Sequence, residues 1–294
     1  MPSLKEVRAR INSVISTQQI TKAMKMVAAA KLRKAQERIT QMRPYSKKMA
    51  DILANVSATL KEEQSNPFAE VREVEKVLIV VITSDRGLCG AFNTNVIKTT
   101  VHLMNDKFAE QFKKGKVELM CVGNKGSDYF RRRNYPMVQG YKELFTNLTF
   151  DNVRKAAEYA MKGFLDKKYD HIEVVYNEFK NVATQIVKNE IFLPLQQKSL
   201  QTGKTSNTDY IFEPNKEEII AELIPKTLRV VFYKALLESN ASEQGARMTA
   251  MDKATDNAEE LLKQLKLTYN QTRQASITKE ILEIVGGAEA LANG

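Results

Sequence analysis

Cysteine and histidine are scarce: the 294 residues hold only Cys89, Cys121, His102 and His171. They are too few and too scattered for a disulfide framework or a metal site, and no Ser/His/Asp or Cys/His set is suggested. Long apolar runs are missing too. No stretch of about 18 apolar residues occurs, so no membrane-spanning helix is expected. The first residues, MPSLKEVRARI, lack the apolar segment that follows the charges of a secretory signal. Asn147-Leu148-Thr149 and Asn270-Gln271-Thr272 match glycosylation acceptors, but without such a signal they carry no weight. The protein is expected in the cytosol or against a membrane through a partner, with no direct membrane insertion.

What is present is unevenly distributed. The first 48 residues carry twelve Lys and Arg against only Glu6 and Glu37, an excess equal to the +10 net charge of the whole chain. Such a segment seeks an acidic partner: nucleic acid, anionic lipid or an acidic protein loop. Its pattern is helical. Alternating steps of three and four from Leu4 pass through Val7, Ile11, Val14, Gln18, Thr21, Lys25, Ala28, Leu32, Ala35, Ile39, Met42, Ser46, Met49, Leu53, Val56 and Leu60. Most are apolar, which predicts a left-handed coiled-coil seam on a helix about 80 Å long. Pro44 predicts a lost hydrogen bond or a kink near Thr40.

From about Lys216 the sequence is helical again, with almost no glycine or proline apart from Pro225, Gly245, Gly286 and Gly287. Its stripe contains Leu228, Val231, Ala235, Ser239, Ser242, Ala246, Ala250, Ala254, Leu261, Leu265, Thr272, Ile277, Ile281 and Ile284, with a drifting register. Two long helices at opposite ends of a chain most simply pair antiparallel, each covering the other's seam.

The middle has another texture. Val77 to Thr83 is a continuous β-branched run bounded by Ser84-Asp85-Arg86-Gly87, the pattern of a strand buried on both faces. Helical periodicity over Asn95 to Phe112, a strand Val117 to Val122, a helix Asp151 to Asp166 and strands His171 to Phe179 and Val182 to Phe192 follow. Strands alternating with helices predict a Rossmann-like α/β domain whose sheet is mostly parallel, the last strand being a candidate antiparallel one. The expected divisions are 1–62 (N-terminal coiled-coil helix), 74–195 (α/β domain), 196–215 (polar linker) and 216–294 (C-terminal coiled-coil helix).

An α/β domain raises the question of a nucleotide site. Gly203-Lys204-Thr205 looks like the end of a P-loop, but the upstream glycine would fall at Lys198. Gly87 and Gly90 follow a strand without the G-x-G-x-x-G spacing, so Ser84 to Gly90 reads as a structural turn. No cofactor, metal or catalytic residue is expected. A dinucleotide-dependent enzyme fails on that missing fingerprint. A basic coiled-coil protein binding nucleic acid or anionic lipid is the alternative reading, weakened because no aromatics interleave with the basic residues of the first helix.

Four segments carry a resemblance: Ser16 to Gln36 (STQQITKAMKMVAAAKLRKAQ), Ser84 to Gly90 (SDRGLCG), Ser239 to Ala258 (SNASEQGARMTAMDKATDNA) and Arg273 to Leu291 (RQASITKEILEIVGGAEAL). In order and over essentially the whole chain, the sequence resembles the gamma subunits of F-type ATP synthases. The resemblance implies a rotating, non-catalytic shaft of two terminal helices inside a ring of alternating alpha and beta subunits. It would couple proton or sodium flow to ATP synthesis or hydrolysis. The α/β domain would be a foot contacting the epsilon subunit and the c-subunit membrane ring; nucleic acid is not an implied partner. Met24 and Lys25 match a position near an acidic lever loop of a beta subunit. Arg247, Arg273, Gln274, Thr278 and Glu280 match residues making polar contacts with the ring. Plant plastid members carry an inserted cysteine pair as a redox switch; this chain has no cysteine after Cys121, so that regulation is not expected. The implied location is the cytoplasmic face of a bacterial cell membrane, peripherally, or the mitochondrial matrix face for a processed chain.

Overall fold

In a computed structural model, residues 3–58, 66–195 and 216–292 are described. They fall into two compact units, 1–27 with 248–294, and 28–247. Two long helices, α1 (Leu4–Ala58) and α6 (Lys216–Ala292), supply residues to both.

The second unit is built on a five-stranded sheet of order β3-β2-β1-β4-β5. Its strands are β1 (Val77–Ile82), β2 (Val117–Val122), β3 (Met137–Val138), β4 (His171–Phe179) and β5 (Gln185–Leu193). Every pairing is parallel except that of β4 with β5. The central strand β1 buries all six residues, as its uninterrupted apolar run requires. Side chains alternate between the faces of a strand, so Leu78, Val80 and Ile82 enter one core and Val77, Ile79 and Val81 the other. The first core is closed by α5 (Phe150–Leu165), through Val153, Ala156, Ala160 and Phe164, and by Ile224, Leu228, Phe232 and Leu236 of α6. The Thr149 hydroxyl caps α5 by accepting the Asn152 N–H at 3.4 Å. The other core is closed by α2 (Phe92–Asn105), by Phe108 just before α3 (Ala109–Lys113), and by Phe130 of α4 (Asn124–Arg131).

Helix α1 continues as α-helix past Pro44, although proline has no N–H to give the Thr40 carbonyl. The preceding residue, Arg43, is bound bidentately by buried Glu238 of α6, both contacts at 2.8 Å. Arg43 also donates to the Phe179 carbonyl at 2.8 Å, and Glu238 accepts the Phe179 N–H at 3.1 Å. One carboxylate thus ties α1, α6 and the end of β4 together within this unit, and its bond holds the Arg43 guanidinium above its ordinary pKa.

The seam predicted for α1 is the buried one. From Leu4 to Met49 each of its positions is buried or half-buried, including Gln18, Thr21, Lys25 and Ser46. Leu53, Val56 and Leu60 lie outside the residues whose side chains are described. In the first unit, α1 and α6 run antiparallel: the Thr21 and Thr255 hydroxyls are 2.8 Å apart, and Lys25 pairs with Asp252. In α6 the seam keeps the expected Leu265 and Thr272 but otherwise departs from the stripe after Ala254: Thr255, Ala258 and Leu262 face inward, whereas Leu261 is 45% exposed. Small and polar seam residues gave the apolar pattern little to hold there. Ile277, Ile281 and Ile284, placed on the stripe as well, are exposed.

Candidate functional site

Three groups of residues carry the candidate contacts. The first lies in the unit formed by 1–27 and 248–294. Thr21 and Lys25 belong to the seam, and their partners Thr255 and Asp252 replace the apolar contact the heptad lacks there. Met24 is half-buried beside them. Ile20 and Val27, seven residues apart, stand exposed on one side of this seam, and Met26 with Lys22, four apart, on the other. At this level α1 presents exposed apolar side chains and, at Lys22, a positive charge, a surface suited to an acidic helix or loop.

The second group is at the far end of α6. The register set by Thr21 with Thr255 and Lys25 with Asp252 brings the start of α1 opposite about residue 272. Among the described residues, nothing in this unit covers 277–288, all of them exposed. Arg273 and Glu280, two turns apart, share one face of the helix; Gln274 and Thr278, one turn apart, share a neighbouring face. All four are exposed. Thr278 spends its hydroxyl proton on the Gln274 carbonyl at 2.9 Å, and Ser276 donates to Glu280 at 3.4 Å. Between the two polar pairs run Ile277, Ile281 and Ile284, the last 71% exposed. Large apolar side chains left in a row on a charged chain mark a contact surface.

The third group lies in the other unit, at the C-terminal end of β1. Ser84 donates its hydroxyl proton to the Arg86 carbonyl at 2.7 Å and accepts the Asn93 amide at 2.8 Å. Its own N–H goes to Asn93 Oδ1 at 2.9 Å. Asp85 accepts the backbone N–H and the side-chain amide of Asn124 at 3.1 and 3.2 Å. From α6, Arg247 donates to the carbonyls of Arg86 and Gly87 at 3.1 and 3.3 Å and to Glu243 at 2.6 Å. Burial pushes the Glu243 carboxyl above its usual range, with Arg247 opposing. Cys89 is buried against Phe92 and Ala246, and burial pushes its thiol up. Leu88 is the outward residue, 64% exposed and at φ 63°.

The glycines next to this turn serve the protein's own backbone. Gly123, at φ 94°, packs so closely on Thr83 that a Cβ would stand 2.2 Å from its carbonyl oxygen. Gly126 donates its N–H to the Thr83 hydroxyl at 2.9 Å. Where a nucleotide-binding α/β fold brings phosphate against the loop, Thr83 occupies the approach.

Of the residues singled out by sequence, Met24 with Lys25, and Arg273 with Gln274, Thr278 and Glu280, come together as two surfaces of one unit. Arg247 is set apart: it is 9% exposed, and its donors go to its own chain. The network of Ser84, Asp85, Asn93, Asn124 and Glu243 was not singled out, because its members are near one another only once the sheet has formed. No described helix is long and apolar enough to cross a membrane, and the described residues contain no cluster of His, Cys, Asp and Glu able to hold a metal.

A chain whose candidate contacts lie on its two terminal helices, and which also carries an α/β domain with its own cores, has the make-up of a stalk subunit. The comparisons narrow that class. A family model described as ATP synthase matches residues 3–291. The ATP synthase gamma chain of Cytophaga hutchinsonii is 60% identical, with 100% of each chain covered, and that of Christiangramia forsetii is 54% identical, with 99% of each covered. Among solved structures, the central stalk and c-ring structure of Tetrahymena thermophila mitochondrial ATP synthase contains a chain 28% identical with a TM-score of 0.58. That match covers 80% of this chain and 99% of the other. A chain of the Euglena gracilis mitochondrial ATP synthase shares the fold, with a TM-score of 0.67 at 22% identity, covering 98% of this chain and 94% of the other. The chain belongs to the ATP synthase gamma chain family, and its part in the complex is the non-catalytic central stalk.

Proposed function

We infer that the chain turns as a shaft within a ring of alternating alpha and beta subunits, carrying the rotation driven by proton or sodium flow to the sites where ATP is made or hydrolysed. Residues 1–62 and 216–294 form the shaft. Residues 74–195 form a foot that meets the epsilon subunit and the c-subunit ring. The chain is then peripheral to the membrane, on the cytoplasmic face in a bacterium, and held there through its partners.

The single observation that carries this reading is the end of α6, where a helix without a partner exposes Ile277, Ile281, Leu282 and Ile284. An apolar surface of this kind turns in an apolar sleeve with few directional bonds to break at each step. Coupling further requires that the shaft interact differently with otherwise equivalent sites, since equal contacts in every state shift no equilibrium. The polar pairs flanking the isoleucines, and the basic edge beside Met24, supply that asymmetry. Arg273, Gln274, Thr278 and Glu280 latch the shaft between steps, and Met24 with Lys25 lies against an acidic lever of a beta subunit.

Complexes reconstituted in lipid vesicles test this, with ATP hydrolysis and ion pumping measured on the same preparation. Met24→Lys should lower pumping more than hydrolysis, because an added charge alters the lever contact without removing a core residue. Arg273→Ala or Gln274→Ala should slow steady turnover while the free chain keeps its helical signal. Equal loss of pumping and hydrolysis in Met24→Lys, together with unchanged turnover in both alanine variants, would exclude these contacts.

A further inference from the structure

Arg247 differs from the other candidate contact residues in where its charge is spent. Its guanidinium is buried, braced by Glu243 at 2.6 Å and Gln244 at 3.3 Å, and it spans the carbonyls of Arg86 and Gly87. Nη2 donates to both carbonyls while Nη1 donates to Glu243 and Gln244, so the two nitrogens of the fork serve the turn and the brace separately, which the single nitrogen of an ammonium cannot do. Beyond those two carbonyls stands Leu88, exposed and in the left-handed region, a conformation a branched side chain holds only where its surroundings impose it. Arg86 is exposed on the same arm. The rest of the turn is secured elsewhere, Ser84 by Asn93, Asp85 by Asn124 and Cys89 against Phe92 and Ala246. Arg247 holds the arm between them.

We propose that Arg247, braced by Glu243, is a positioning residue that fastens the turn Ser84–Gly90 to α6, so that Arg86 and Leu88 are presented outward as a contact point of the shaft. Arg247 then contributes to coupling through Leu88 and touches no other subunit itself. The proposal rests on the shaft reading above and changes the part Arg247 plays in it.

Cys89 reports on the fastening, because its thiol lies behind the arm, and Cys121, buried in β2, serves as the internal reference. The full-length chain is treated with a small maleimide, and labelling at each cysteine is followed by peptide mass mapping. Arg247→Gln should raise the labelling rate of Cys89 by about tenfold or more while Cys121 stays unlabelled, since local opening governs access to a buried thiol. Arg247→Lys keeps the charge but has one nitrogen where the guanidinium uses two, so it cannot hold Glu243 and the two carbonyls in this geometry and should free Cys89 as well; it serves in place of the glutamine variant if that chain does not fold. Leu88→Ala should leave Cys89 protected.

In reconstituted vesicles, Leu88→Ala and Arg247→Gln should both lower the ratio of pumping to hydrolysis, and the double variant should be no worse than Arg247→Gln alone. Protection of Cys89 in both Arg247 variants would overturn the fastening, whatever the shaft does. A double variant whose loss is the product of the two single losses would show Arg247 acting directly and overturn the indirect role. Freed Cys89 with an unchanged coupling ratio in both single variants would overturn the role of Leu88 as a contact.

Discussion

In the α/β part of the chain, β1 buries all six of its residues and helices close both of its faces. In the last turns of α6, Ile277, Ile281, Leu282, Ile284 and Val285 are all about half exposed or more. Both stretches are rich in the same β-branched and aliphatic residues, so composition does not separate them. What separates them is whether the chain supplies its own cover. The sheet is stabilised by burial, of order 1.5–3 kcal/mol for each large apolar side chain. Among the described residues, those side chains at the end of α6 gain little of that, so they cost solubility unless a partner covers them. A segment that retains apolar side chains its own fold leaves uncovered is a segment made for contact.

Two truncations break the comparison open. Stopping the chain after residue 215 removes α6, and with it Ile224, Leu228, Phe232 and Leu236 from the core beneath β1. Losing Phe232 alone to alanine costs about 3–5 kcal/mol, so the whole set exceeds the roughly 5–15 kcal/mol that holds a domain together. The exposed seam of α1 adds to the loss. Circular dichroism should show the helical signal of α1 gone and the sheet destabilised, with aggregation on gel filtration. Stopping after residue 276 removes, among the described residues, only exposed side chains bonded within their own helix, and thermal unfolding should be nearly unchanged. A soluble, helical 1–215 fragment would mean that α1 does not depend on α6.

Next in size is Gly123→Ala. The position has φ 94°, and the new Cβ would fall 2.2 Å from the Thr83 carbonyl oxygen, which is backbone and cannot swing away. The loss should be at least about 3 kcal/mol, read as a lower denaturant midpoint with an unchanged slope.

A smaller, pH-dependent effect comes from Glu173, fully buried in β4. Burial alone would raise its pKa, but bonds to His171 at 2.7 Å, to Lys107 and to Asn189 outweigh this and hold the carboxyl below its ordinary range. As pH falls, the unfolded chain takes up this proton before the folded one. The contribution is therefore complete above the ordinary carboxylate pKa and is lost as pH drops through it toward the depressed folded value. Glu173→Gln should cost about 1–3 kcal/mol at neutral pH and flatten the acid side of the stability profile. An unchanged acid limb would show that the network contributes nothing.

Where burial imposes a period, the sequence announces the fold. The α1 seam is legible from Leu4 to Met49 because a partner helix lies along that whole side, and β1 is legible because both its faces are covered. The two-residue strand β3 is too short to show any period, and the predicted helix over 95–112 is interrupted at Asp106–Phe108, between α2 and α3. The α6 seam after Ala254 is read only at Leu265 and Thr272, because Thr255 and Ala258 are not apolar enough to mark the turns between. Ile277, Ile281 and Ile284 continue an apparent stripe that has nothing to face among the described residues of their unit. The candidate site divides in the same way. Exposed residues such as Arg273 could be found by motif, but that Arg247 turns inward depends on the placing of two carbonyls 160 residues away, which no local pattern encodes.

The smallest expected effect tests the comparison most finely, because it asks whether the end of α6 is held by backbone propensity alone. Gly286 and Gly287 sit inside the helix, and a Cβ at either would meet nothing within 4 Å. In a packed helix the outcome of Gly→Ala depends on the space available; here only the backbone term remains, and it favours alanine by about 0.5–1 kcal/mol per site. Each substitution should therefore slow amide hydrogen exchange over residues 280–290 of the free chain by roughly fivefold or less, with no change in the global unfolding midpoint. A shift of that midpoint would mean that these turns are coupled to the rest of the fold. If the end of α6 works as a bearing surface, the added methyl groups should also lower turnover in the assembled complex even as they steady the free helix. Improved order together with faster turnover would show that the glycines do not serve the fit.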